Sequence, residues 1–172
     1  MKSNEEYMLD YINGNKDALE KLYEQLQKPL YSFLFRYTRD EQLSMDIVQD
    51  TFEQLQKKKN YFDSTKGRVQ SYLFQIAYRL MLNKLNRRKK WQSILPYLTP
   101  MTPLFTNDDQ MTIQEALLKL PEKQRAVIIL AYYHDLNQED ISSILSIPKG
   151  TVKSRLHTAI LRLKELLKED YL

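Results

Sequence analysis

The chain has 172 residues, 42% hydrophobic, with 26 Lys and Arg against 22 Asp and Glu, a length that allows one domain or two small ones. Only three glycines, set among long amphipathic stretches, favour an all-α fold. The lack of cysteine excludes disulfides and thiolate metal sites, and two histidines, His134 and His157, exclude a His-rich one, so neither metal nor cofactor is expected.

Residues 4–12 read as a short amphipathic helix, with Tyr7, Met8, Tyr11 and Ile12 on its apolar side. This N-terminus has no signal-peptide core, and no run of eighteen apolar residues occurs anywhere in the chain, so the cytoplasm is the expected location. Asn13-Gly14-Asn15 is a turn signal. A second helix from about Lys16 carries Ala18, Leu19, Leu22, Tyr23 and Leu26. Pro29 is expected to start a third, with Leu30, Phe33, Leu34 and Tyr37 inside and Arg39-Asp40 at its end. Residues 41–57 form the next, burying Leu43, Ile47, Val48, Phe52 and Leu55. Its other face shows Asp46, Gln49, Asp50 and Glu53, which on residue type alone is a solvated face.

Residues 58–69, KKNYFDSTKGRV, read as a basic loop with turn formers. Within it, Tyr61 and Phe62 either stack on unpaired bases or anchor the loop to the core. A long helix over 70–90 follows, with Tyr72, Leu73, Ile76, Ala77, Leu80 and Leu85 inside. Arg79, Lys84, Arg87, Arg88, Lys89 and Lys90 crowd its second half, and such a patch suits an anionic partner. A membrane surface is the weaker reading, because the apolar stripe has neighbouring helices to pack on. Residues 92–111 lose the helical period and hold Pro96, Pro100 and Pro103. They read as a linker between two small helical domains, 1–91 and 112–172. Its apolar residues, including Ile94, Leu95, Tyr97, Leu98, Met101, Leu104 and Phe105, imply contact with the domains or with a partner.

The second domain opens with a helix over 112–119 carrying Ile113, Ala116 and Leu117, followed by Leu120. Pro121 starts another, with Val127, Ile128, Leu130 and Ala131 inside. From Asn137 to Lys164 the chain reads as a helix-turn-helix. Asn137 is an N-cap, Glu139 and Asp140 suit the first turn, and Ile141, Ile144 and Leu145 form one stripe. Ser146-Ile147-Pro148 breaks the period, and Val152, Leu156, Ile160 and Leu163 form the next stripe. The free face of that second helix carries Lys149, Gly150, Thr151, Lys153, Ser154, Arg155 and His157 in its first turns. That is the part of a recognition helix that meets the major groove. A Gly so near a helix start makes sense where a phosphate backbone approaches closely. The competing reading is an αα-hairpin with a solvated basic face. No paired acid and base, activated nucleophile or metal-ligand set is present, so an enzyme is not expected.

Taken together, these motifs resemble the extracytoplasmic-function (ECF) group of bacterial RNA polymerase sigma factors over nearly the whole chain. Ala116-Leu117, Leu120-Pro121, Gln124-Arg125-Ala126-Val127 and Leu130 match one family pattern. Glu139-Asp140-Ile141, Leu145 and Gly150 through Leu156 match its helix-turn-helix. Asp46 through Phe52 resembles its polymerase-docking helix, and Tyr72 through Ala77 with Asn86-Arg87-Arg88 its promoter-melting helix. The resemblance implies an alternative sigma factor that binds core RNA polymerase and directs promoter-specific initiation. Asp46, Gln49, Asp50 and Glu53 would dock on the coiled coil of the largest subunit, with the flap as a second contact. Tyr61, Phe62, Lys66, Arg68, Tyr72, Arg79, Lys84, Arg87 and Arg88 would serve the minus-ten element and its melting. Lys149, Gly150, Thr151, Lys153, Ser154, Arg155 and His157 would serve the minus-thirty-five element. An anti-sigma factor is an implied partner, and insertion of this chain into a membrane is not implied. The sequence departs from the family in the turn, where Ser146 replaces a frequent Gly, and in Tyr72, where Trp is usual. A stand-alone helix-turn-helix regulator and a sigma-like decoy that melts no DNA are the alternatives.

Overall fold

The computed structural model describes residues 1–94 and 112–169, and every regular element among them is helical. The elements are α1 (Asn4–Ile12), α2 (Asp17–Thr38), α3 (Glu41–Lys57), α4 (Val69–Ile94), α5 (Ile113–Lys119), α6 (Glu122–Ile128), α7 (Gln138–Leu145) and α8 (Lys149–Glu169). A 3-10 turn, Lys59–Tyr61, precedes α4, and a π-turn, Ile129–Tyr133, follows α6. The expected linker 92–111 enters only as the end of α4; Leu95, Tyr97, Leu98, Met101, Leu104, Phe105 and its three prolines lie outside the described residues.

The helix starts follow from side-chain capping. Ser3 with Glu6, and Thr112 with Glu115, each form a reciprocal capping box. Asp40 accepts from the Leu43 N–H at 2.8 Å at the start of α3. The start of α4 is capped from a distance, because Glu5 Oε1 accepts from the Val69 N–H at 3.2 Å. Thus the acidic first helix orients the long basic one.

Pro29 does not open a new helix. It lies inside the continuous α2, from Asp17 to Thr38. An interior Pro costs about 3 kcal/mol through its lost N–H and its ring clash. Here Leu22, Leu26, Leu30, Phe33, Leu34 and Tyr37 lie in one helical phase on both sides of it, and all are buried. A break at Pro29 would throw half of that set out of register. α2 ends at Arg39, whose backbone is left-handed with φ 55°.

α2, α3 and α4 enclose Phe33, Ile47, Leu55, Leu73, Phe74 and Met81. The same apolar cluster continues through Val127, Ile129, Leu130, Ile141, Ile144 and Val152, so the two halves of the chain share a core. A smaller cluster of Leu117, Leu120, Ile128 and Ala159 sits under the C-terminal half of α8. Leu156, Ile160 and Leu163, expected inside, are half-buried against it.

Two polar side chains lie where the halves meet. Arg125 donates to the carbonyls of Leu117 (3.0 Å), Leu118 (2.8 Å) and Leu120 (3.2 Å), and to the Tyr37 carbonyl of α2 (3.1 Å). One planar guanidinium thus satisfies the carbonyls left free at the α5–α6 corner and ties that corner to α2. His134, just after the π-turn, packs against the rings of Phe33 (6.1 Å) and Phe74 (5.2 Å). Its Nε2 is buried without a partner. Burial, aided by the Arg36 charge, pushes its pKa from 6.5 to about 4.

Replacing Arg125 with Ala should lower the stability by about 2–4 kcal/mol in urea unfolding, since it strands several carbonyls at once. A loss under 1 kcal/mol would remove this role. His134 predicts an acid sensitivity. Its folded pKa lies below its unfolded value, so the unfolded chain takes the proton first as pH falls, and stability is lost progressively between about pH 6.5 and 4. Between pH 7 and pH 5 the wild type should lose about 2 kcal/mol more than His134→Phe. Parallel stability curves for the two proteins would refute this.

Candidate nucleic-acid interface

The helix-turn-helix forms from α7 and α8. Asn137 Oδ1 accepts from the Asp140 N–H at 2.8 Å, and Ile141, Ile144 and Leu145 are buried. Ser146 ends α7 in the left-handed region (φ 55°, ψ 47°), a conformation that costs a non-Gly residue roughly 1–2 kcal/mol. The Gly-to-Ser departure in this turn is therefore a real strain. It is compensated because Ser146 Oγ accepts from Gln75 and Arg79 of α4, each at 3.3 Å.

On α8, Lys149, Gly150, Lys153, Ser154 and His157 are exposed and Thr151 is half-buried. Lys149 is paired with Glu139, and the Ser154 hydroxyl donates to the Thr151 carbonyl at 3.1 Å. A Cβ on Gly150 would meet nothing within 4 Å, so internal packing gives no reason for glycine there. Arg155 differs from its neighbours. It is half-buried, and its charge lies near enough to Tyr78 of α4 to oppose the upward pull of burial on that phenol.

The loop aromatics split between the two readings left open above. Phe62 packs on Tyr72 with ring centroids 5.5 Å apart, which anchors the loop to α4. Tyr61 stands 79% exposed. Together with Lys66, Arg68 and Tyr72 they line a small cavity whose far wall includes Ser143 of α7. Lys66 is exposed and 3.6 Å from Asp63. Further along α4, Lys84 pairs with Asp50 (2.9 Å), Arg88 with Asp40 (2.8 Å) and Lys89 with Glu122 (2.7 Å). Arg87 and Lys90 border a shallow groove with Asn83 and Asn86.

The acidic face of α3 also divides. Asp46, Gln49 and Glu53 line a groove between α2 and α3, joined by Tyr23 and by Met45, which is 58% exposed. Asp50 is not part of that groove; it is engaged by Lys84 of α4.

Several residues that carry this arrangement had no signal in the sequence. Asp140 is buried, and the Arg68 guanidinium donates to both of its carboxylate oxygens. Ser71 Oγ donates to the same carboxylate at 2.8 Å. Gln75 donates to the Ser143 carbonyl at 2.8 Å. Asp140 reads in sequence as a first-turn acid of the helix-turn-helix, with nothing to mark its distant partners, and nothing in the sequence marks Met45. Among the described residues no group of His, Asp and Glu could hold a metal ion, and no helix is long and apolar enough to cross a membrane.

Residues 22–91 match the family model for sigma-70 region 2, and residues 110–163 match that for sigma-70 region 4. The chain is 30% identical over 158 residues to the ECF RNA polymerase sigma factor SigM of Bacillus subtilis, covering 87% of this chain and 94% of that protein. In fold it is similar to CnrH, solved with the cytosolic domain of CnrY (TM-score 0.77, 21% identity, 98% of this chain and 99% of that one). It is also similar in fold to the sigma factor RpoE of Bartonella quintana, solved with the anti-sigma factor NepR (TM-score 0.74, 24% identity, 87% and 96%). A helix-turn-helix whose second helix is exposed and basic in its first turns, an all-helical fold in two parts and these matches agree: the chain belongs to the ECF family of RNA polymerase sigma factors.

Proposed function

We propose that this sigma factor works in the cytoplasm as a two-point promoter reader carried by core RNA polymerase. The observation that carries the reading is α8, which projects Lys153, Ser154 and His157 outward beside an open Gly150. Lys149, Thr151 and Arg155 complete the set assigned to the minus-thirty-five element. Tyr61, Lys66, Arg68, Tyr72 and Arg79, with Phe62 as the loop's anchor, are assigned to the minus-ten element. Lys84, Arg87 and Arg88 are assigned to the phosphates beside it. The α2–α3 groove, with Asp46, Gln49 and Glu53 around an exposed Met45, is assigned to the coiled coil of the largest subunit. An apolar side chain ringed by polar groups suits a helical partner, and a stand-alone DNA-binding regulator would have no use for it. Asp50 is assigned a supporting role, through its pair with Lys84. The chain contributes positioning and strand separation, and the polymerase performs the chemistry. An anti-sigma factor is proposed as the partner that restrains it.

The test is run-off transcription with purified core polymerase on genomic fragments. Specific transcripts from a few fragments are expected. Polymerase binding without transcripts would instead indicate a decoy, and duplex binding without polymerase binding a stand-alone regulator. Glu53→Lys should weaken core binding and leave the fold intact; unchanged core binding would remove the groove assignment. Lys153→Ala should cost about 1–3 kcal/mol at the upstream element if it reads a base. Gly150→Ala should raise stability by about 0.5–1 kcal/mol yet weaken upstream binding, because the added methyl favours the helix and blocks the phosphate. Stability and binding that rise together would remove the phosphate-approach argument.

A further inference from the structure

Asp50 stands between two surfaces assigned above to different partners. On α3, Asp46, Asp50 and Glu53 fall at i, i+4 and i+7, which sets them on one ridge. Asp46 and Glu53 line the α2–α3 groove, and Asp50 does not. Its carboxylate is turned to Lys84 of α4, 2.9 Å away. The acids beside it are held by neutral groups of their own helix. Gln42 donates to Asp46 at 2.9 Å, and Gln49 to Glu53 at 3.5 Å. Asp40 also pairs with α4, through Arg88, but its other carboxylate oxygen caps α3 and stays committed there. Among the described residues, Asp50 has Lys84 as its only side-chain partner. The two side chains are 38% and 33% exposed, so external ions can reach both.

One carboxylate and one ammonium at such a junction cannot serve each other and two outside partners at full strength. A basic group brought to the acidic ridge competes with Lys84 for Asp50. A DNA phosphate competes with Asp50 for Lys84. Whichever exchange comes first leaves the other charge uncompensated, and that charge then attracts its own outside partner more strongly. We infer that the Asp50–Lys84 pair couples the two surfaces. Polymerase on α3 releases Lys84 to DNA, and DNA on α4 releases Asp50 to polymerase. The effect is reciprocal, as linkage requires. The inference rests on the assignment of the groove to polymerase and of Lys84 to phosphates, and neither assignment alone implies it.

The test is a thermodynamic cycle. Affinity for core polymerase is measured with and without a fluorescent promoter strand for wild type, Lys84→Met, Asp50→Asn and the double variant. Without DNA, Lys84→Met should tighten core binding by about twofold to fivefold, the range open to a partly solvated pair. Loss of a cation assigned to DNA thus improves polymerase binding. The tightening should vanish in the Asp50→Asn background. The gain in core affinity on adding the strand should fall by a similar factor in either single variant, and no further in the double one. Lys84→Gln, which keeps a polar side chain, should repeat the sign if Lys84→Met unfolds the chain. Equal tightening in both backgrounds would be a long-range charge effect and overturns the coupling. So does unchanged or weaker core binding by Lys84→Met and Lys84→Gln while wild type binds core and strand. A wild type that binds no core overturns the groove assignment, and the coupling with it.

Discussion

A carboxylate cannot be taken out of water unless it is paired and hydrogen-bonded. Asp140 is buried between α7 and α4, and its partners, Arg68 and Ser71, come from the other half of the chain. Arg68 stays charged, its pKa raised chiefly by the bond to Asp140. Once that pair is made, α7 is held in one register along α4. The turn then falls at Gln75 and Arg79, and His134 falls between Phe33 and Phe74. The shared apolar core supplies the driving force for this association, and the polar seam selects its geometry.

The remaining ion pairs follow a different logic. Lys84–Asp50, Arg88–Asp40 and Lys89–Glu122 are all partly solvated. Such pairs are worth about 0–1 kcal/mol and weaken with salt. They do little to hold the fold. Their basic members are readily exchanged onto other anions, because a solvated pair has little stability to lose. Fixed and exchangeable contacts are thus separated along one helix, with buried ones near its start and solvated ones along its second half.

Much of the fold was legible in the sequence because helices report themselves through period and caps. The stripes of α2, α3, α4 and α7, the cap at Asn137 and the turn at Ser146 follow from local rules. Pro29 was misread because the local rule for proline is a helix start, and only the buried stripe continuing on both sides overrides it. The π-turn at Ile129–Tyr133 was invisible for a similar reason. One extra residue in a helical turn leaves no periodic mark over so short a span, yet it places Tyr133 under Arg36, 3.9 Å from the ring centroid, and Tyr132 in solvent. Residue type could not separate Tyr61 from Phe62, or Asp50 from Asp46, because each pair carries the same chemistry and differs only in its neighbours.

Period and spacing alone give an all-helical chain in two parts, a helix-turn-helix with a basic second helix, and the family to which the chain belongs. All of these rest on spacing along one strand of peptide, which periodicity records directly. Which charged groups are engaged follows instead from the packing of helices far apart in the chain. Arg68 meets Asp140 across 72 positions, and Arg125 meets Tyr37 across 88. Such pairings depend on which helix faces pack together, and no local pattern encodes that.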